Sequence, residues 1–222
     1  MADRTSTPER ILDASRRLFN EKGYAATTLA EIAASVGIAP GNLTYHFPTK
    51  RDLVAELERR MRETVRAGRE RSGRGDVADE YVERVLLSMN HAWENRFFLR
   101  DYAQFTNNPD ALRRDPDMAA DLEQLHSLLR RMQKDGLFRR DLDFDLRVLA
   151  RSLWIVSRYW MDHLREMEGL DQVTWADQER GFQHHFGVLL PYLTASARRD
   201  LESAVVRVAS KLAVEEERNN HD

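Results

Sequence analysis

Apolar residues recur at three- and four-residue intervals along almost the whole chain, and β-branched runs are absent, so helices are predicted nearly throughout. In "TPERILDASRRLFNEKG", Ile11, Ala14, Ser15 and Leu18 share a face, with Leu12 and Phe19 alongside. Thr7 is expected to cap this helix, Pro8 to take its first position and Gly23 to end it. "TTLAEIAASVG" opens on a capping box of Thr28 and Glu31, buries Leu29, Ile32, Ala33 and Val36, and turns at Gly37. A very short helix starts at Pro40 and cannot pass Phe47, because Pro48 restricts the residue before it. Thr49 with Asp52 then caps a long helix, "KRDLVAELERRMRETVRAGRE", which frays in the Arg-rich "GRERSGRGD".

Five further stripes follow. Val82, Val85, Met89, Trp93 and Phe97 form one; Met118, Leu122, Leu125, Leu129 and Met132 form another, between Asp115–Pro116 and Gly136. Leu146, Leu149, Leu153, Val156 and Trp160 line a helix that is apolar on more than one side, which predicts more than one packing neighbour. Trp175, Phe182, Phe186, Leu189 and Leu193 belong to a helix interrupted by Pro191, and Leu201, Val205, Val208 and Leu212 to the last one. The tail "EEERNNHD" is expected to be disordered. The expected fold is all-α, with a three-helix head over residues 1–52 joined by the long helix to a larger helical bundle over 53–222.

The short helix carries unusual chemistry. With Leu43 at the centre of its buried face, Ala39 and Phe47 fall within roughly 40° of it, whereas Gly41 and Tyr45 lie outermost and Asn42 and Thr44 flank them. Pro40 and His46 sit at the margins. A solubilising face would carry Lys and Glu, and this one has neither. Asn pairs bidentately with adenine, Thr meets a base edge or a thymine methyl, and Gly lets a helix seat deeply in the major groove. Tyr45 and His46 suit phosphate oxygens, as do Lys50 in the first turn of the long helix and Thr28 at the start of the preceding one. Helix, Gly turn and short helix make a helix-turn-helix arrangement.

Charge sharpens the picture. The formal net charge is −3, yet residues 1–75 hold 14 Lys+Arg against 10 Asp+Glu, so a mildly basic head precedes an acidic body. There is no cysteine for a disulfide or thiolate zinc site. No apolar run approaches the roughly 18 residues of a membrane span, and "MADRTSTPER" lacks the apolar core of a secretory signal. A soluble, cytoplasmic protein is the expectation. No metalloprotease, nucleophile-elbow or phosphate-loop spacing occurs, and His91, His126 and His163 are separated by whole helices, so neither an enzyme nor a metal or cofactor protein is expected.

Residues 8–55 resemble the DNA-binding domain of the TetR family of bacterial transcriptional regulators. The matching residues are Phe19, Gly23, Thr27–Thr28, Ile32–Ala33, Val36–Gly37, Gly41, Leu43, His46–Phe47, Lys50 and Leu53. The chain departs from the family's pattern at Ala39, where Ser or Thr is usual, and at Thr44, where Tyr is usual. The resemblance implies a homodimer that binds double-stranded operator DNA. It also implies a larger C-terminal domain that binds a small effector, with repression relieved by that ligand. The rival reading is a helical interaction scaffold that binds no DNA; salt-sensitive duplex binding separates the two.

An apolar or amphipathic effector would find aromatic and flexible side chains in the body. The candidates are Met89, Trp93, Phe97, Tyr102, Phe105, Leu122, Trp154 and Tyr159, with His126 and Arg158 as polar anchors. For any one aromatic, simple core filling is the competing reading.

Overall fold

A computed structural model describes residues 6–71, 75–105, 116–170 and 172–219. Among them the helices are α1 (Thr7–Lys22), α2 (Leu29–Ser35), α3 (Pro40–His46), α4 (Lys50–Arg71) and α5 (Val77–Glu94). They continue with α6 (Arg96–Phe105), α7 (Pro116–Lys134), α8 (Leu146–Glu166), α9 (Trp175–Leu189) and α10 (Ala195–Asn219). A 3-10 turn at Leu190–Tyr192 follows α9, where Pro191 interrupts the pattern. The fold is all-α, and a single antiparallel bridge, Phe138 to Leu193, is the one β contact among the described residues.

Two compact units form: Met1–Gly68 with Glu94–Arg114, and Arg69–Trp93 with Asp115–Asp222. The division expected at 52/53 is therefore displaced along α4. The larger correction is that the segment containing α6, expected in the body, belongs to the head.

In the head unit, Ile11, Leu12, Phe19, Ile32, Leu43 and Leu53 are fully buried. Their spacing follows from local helical periodicity, and so do most of the caps. Thr28 and Glu31 form the reciprocal capping box of α2, and Thr49 exchanges bonds with Asp52 at the start of α4. The cap of α1 is Ser6 in a box with Glu9, one residue before the expected Thr7. Gly23 and Gly37 adopt positive φ (92° and 70°), which other residues rarely adopt, and so end α1 and turn α2 into α3. Arg10 donates to the Val36 carbonyl at 2.6 Å, tying α1 to that turn.

In the other unit, α5 and α9 run antiparallel: Tyr81 meets His185, and the Met89 carbonyl accepts from Gln178. Val82, Val85, Leu129, Met132, Leu153, Leu189 and Leu201 share the core between these helices and α7, α8 and α10. The stripe read from Val82 to Phe97 breaks at Asn95, so Phe97 starts a different helix in the other unit. The last helix also runs through Glu215 to Asn219, past the expected start of disorder; residues 220–222 lie outside the described ones.

Candidate nucleic-acid interface and effector-binding body

The short α3 is fixed by its surroundings. Pro40 pre-sets its first turn, Leu43 is fully buried, and Phe47 packs half-buried against the head core. Ala39 is exposed, not inward-facing as expected: as the N-cap residue it has extended φ/ψ and has left the helical wheel. It supplies no side-chain cap.

The outward face is the expected one. Gly41, Asn42, Thr44 and Tyr45 are all exposed, Tyr45 to 83%, with Pro40 exposed beside them and His46 half-buried. A Cβ at Gly41 would meet nothing within 4 Å, so the fold itself places no demand for glycine there. A helical glycine costs roughly 0.5–1 kcal/mol relative to alanine. The Thr44 hydroxyl shares its proton between the Pro40 and Gly41 carbonyls (3.2 Å each), which leaves its lone pairs as acceptors on an exposed side chain. The Tyr45 ring meets His46 edge-on, 5.2 Å between centroids, which steadies both side chains.

Two expected phosphate ligands are engaged otherwise. Lys50 Nζ donates to the carbonyls of Tyr24 (2.7 Å), Thr27 (2.7 Å) and Ala25 (3.4 Å), so its three donors close the α1–α2 loop rather than face solvent. Burial pushes its ammonium pKa below the ordinary lysine value. The Thr28 hydroxyl donates to Glu31 Oε2 (3.0 Å) and accepts from the Glu31 N–H (3.2 Å). The Glu31 carboxylate thus occupies the anion position at the start of α2. Its pKa is held at about 2 by the Thr28 N–H, then by Lys22 and the Thr28 hydroxyl.

The expected effector residues separate. Met89, Leu122 and Trp154 gather in the core of the Arg69–Trp93 and Asp115–Asp222 unit. Trp154 Nε1 donates to Asp121 Oδ2 at 2.9 Å, and Asp121 also takes Arg84 at 2.6 Å. Trp93 meets Trp175 edge-on at 5.8 Å, and Arg158 lies over the Tyr159 ring, itself 47% exposed. His126 is buried, with Glu123 at 3.5 Å. Phe97 and Phe105 are not in that unit: Phe97 packs on Phe19 (5.3 Å) and Phe105 on Tyr24 (5.3 Å), inside the head core. The Tyr102 side chain lies outside the described ones.

Several polar residues in these cores escaped the sequence reading. Asp101, 4% exposed, accepts the Tyr24 N–H; Gln178, 1% exposed, bonds the Met89 carbonyl. His185, also 1% exposed, sits between Tyr81 (2.7 Å) and Ser157 (2.8 Å). A signal did exist: Asp101 lies four residues from both Phe97 and Phe105, and Gln178 and His185 lie seven apart on the apolar stripe of α9.

Comparison with known proteins bears on the whole arrangement. Residues 11–57 match the model of bacterial regulatory proteins of the tetR family, and residues 56–201 match that of a bacterial transcriptional repressor of the same name. The transcriptional repressor KstR2 of Rhodococcus jostii is 26% identical over 161 residues, 68% of this chain and 78% of that protein. The regulator AcrR of Shigella flexneri is 41% identical over 51 residues, 23% of this chain and 24% of its own length. In structure, a TetR-family regulator from Marinobacter aquaeolei superposes with a TM-score of 0.72 at 23% identity, covering 92% of this chain and 99% of that one. No described helix is long and apolar enough to cross a membrane. The helix-turn-helix head and the two matched models together place the chain in the TetR family of bacterial transcriptional regulators, ligand-responsive DNA-binding proteins rather than enzymes.

Proposed function

We propose that the protein is a repressor. It acts as a homodimer whose two α3 helices read operator half-sites about 34–36 Å apart, and a small amphipathic effector releases it. The observation that carries the DNA-reading half is the α3 face: an exposed amide, an exposed threonine, and a glycine the fold does not need. Asn42 and Thr44 read bases, Gly41 lets the helix approach them, and Tyr45 and His46 contact backbone. The repressor name of a relative and of the matched model supports the sign of regulation.

For the effector, support comes from two buried polar atoms without partners, Gln178 Oε1 and Arg158 Nη1. Each costs about 1–3 kcal/mol when left unpaired, which a ligand hydroxyl, amine or carbonyl would relieve. Met89, Leu122 and Trp154 provide the apolar contacts.

Selection of duplexes from a random pool by the full-length protein tests the reading. The expected product is a palindrome bound with strong salt dependence. On it, Asn42→Ala loses about 1–3 kcal/mol at one base step and little on random DNA. Equal losses on both DNAs would show that Asn42 does not read a base.

A further inference from the structure

Two helices of the head unit continue along the chain into the other unit: α4 past Gly68, and the segment carrying α6, which leaves at Glu94 and Arg114. Both grip the backbone of the same residue, one peptide group on each side of its Cα. The Tyr24 N–H donates to Asp101 Oδ2 of α6 at 2.8 Å, and the Tyr24 carbonyl accepts from Lys50 Nζ of α4 at 2.7 Å. The Tyr24 ring is held as well, 4.4 Å below Lys50 Nζ and 5.3 Å from Phe105. Tyr24 lies between Gly23, which ends α1, and Thr28, which caps α2, the first helix of the reading motif.

The α6 grip is more polar than docking requires. Phe97, Phe98 and Phe105 already seat this helix in the head core. Asp101 is nonetheless buried, bonded by Arg100 at 3.0 and 2.8 Å, and Arg100 reaches on to the Phe19 carbonyl at 2.5 Å. Asn20 takes the Phe97 N–H at 3.0 Å and donates to the Glu94 carbonyl at 2.7 Å. Burying a carboxylate is unfavourable unless its bonds are all made, so this network is directional: it holds α6 in one register against the end of α1.

We propose that the backbone of Tyr24 is the coupling node of the regulator. Asp101 and Lys50 are positioning residues: each delivers a displacement of its own helix to the start of α2 and, through the Gly37 turn, to the α3 reading face. This rests on the operator-binding reading above.

The test uses the full-length protein with Asp101→Ala, Lys50→Met, the two together, and Asp101→Asn, whose amide oxygen still accepts the Tyr24 N–H. The DNA is the duplex that the wild type selects from a random pool. Each of Asp101→Ala and Lys50→Met is expected to lower affinity about tenfold, because each releases one of the two charged holds on the Tyr24 backbone. The pair falls little further, since either loss frees the same residue, Tyr24, and Asp101→Asn recovers most of the affinity. The salt slope stays at its wild-type value in Lys50→Met. Losses that multiply to about a hundredfold, or a slope lowered by about one as for a lost phosphate contact, overturn the node. Hydrogen exchange without DNA supplies the independent arm. The amides of α2 and α3 exchange faster in Asp101→Ala while those of α8 and α9 do not change; acceleration confined to α6 overturns the proposal. A wild type that selects no duplex, with this exchange pattern intact, would remove the operator reading and leave the node standing.

Discussion

Trp160 lies against α9 because residue 181 has no side chain. A Cβ there would come closer than 3.0 Å to the indole, whose Nε1 donates to the Asp177 carbonyl at 2.8 Å. The ring is buried and held, so it cannot give way. Gly181→Ala should therefore destabilise the protein by about 1–2 kcal/mol in urea unfolding, overpacking outweighing the better helix propensity of alanine; a gain in stability would show that Trp160 moves freely. His185 illustrates the opposite case, a polar group accepted into the core. Burial pushes its pKa down to about 4, against the Leu153 carbonyl, which favours the charged form, while Arg84 adds to the lowering. The unfolded chain binds this proton near pH 6.5 and the folded chain near 4, so the stabilising contribution is complete above the higher value and lost as pH falls between the two. It amounts to about 3 kcal/mol at most. The carboxylates Glu31 and Glu56, held at about 2, lose their contributions below their unfolded values near 4.5, so the interval above that belongs to His185. In His185→Gln the slope of unfolding free energy against pH from about 4.5 to 6.5 should flatten; an unchanged slope would assign it to another group.

At the scale of elements, the helices of the reading motif were legible in the sequence because their starts, stops and faces are set locally. The Thr28–Glu31 box, the Gly37 turn, Pro40 and Pro48 all act within four residues, and the exposed face of α3 follows from helical periodicity around Leu43. Thr28→Ala should accordingly lower stability by about 0.5–1 kcal/mol and speed exchange at the first α2 amides, with the Thr28 N–H still holding Glu31; no change in either would place the stabilisation elsewhere. The break between α5 and α6 was not legible. The stripe of Val82 through Phe97 runs on without a Gly or Pro, and the interruption at Asn95 is made by Asn20, a residue 77 positions from Phe97, which satisfies the backbone groups on both sides. Periodicity has no access to such a partner. For the same reason Phe97 and Phe105 read as effector-site aromatics, although their neighbours are Phe19 and Tyr24. The engagement of Lys50 was hidden likewise, since its acceptors are carbonyls 23 to 26 residues away.

At the scale of the molecule, the body helices carry apolar surface that is exposed among the described residues. On α8, Val148 is 61% exposed, Ile155 47% and Tyr159 47%, and their spacings of seven and four residues place them on one stripe. Its opposite face is closed by Leu149, Leu153, Trp160 and Leu164 against α7 and α9. Trp175, 44% exposed, adds to the apolar surface of α9. A second copy is the occupant that a two-headed reader of palindromic DNA requires, because an isologous interface sets the two α3 helices about a two-fold axis. On the proposed dimer, the α8 stripe would serve DNA binding at a distance. Replacing Ile155 and Tyr159 together by Asp buries unpaired charge in such an interface, so the variant should sediment as a monomer at micromolar concentration while its helical content is kept. Each head would then bind its half-site alone. Affinity for the selected palindrome should fall by about 10²–10⁴ and the salt slope should drop to roughly half, because half the phosphate contacts are gone. Binding to an isolated half-site should not change, which separates lost pairing from a damaged head. A variant that stays dimeric, or a monomer that holds the palindrome with wild-type affinity and slope, would show that α8 is not the pairing surface.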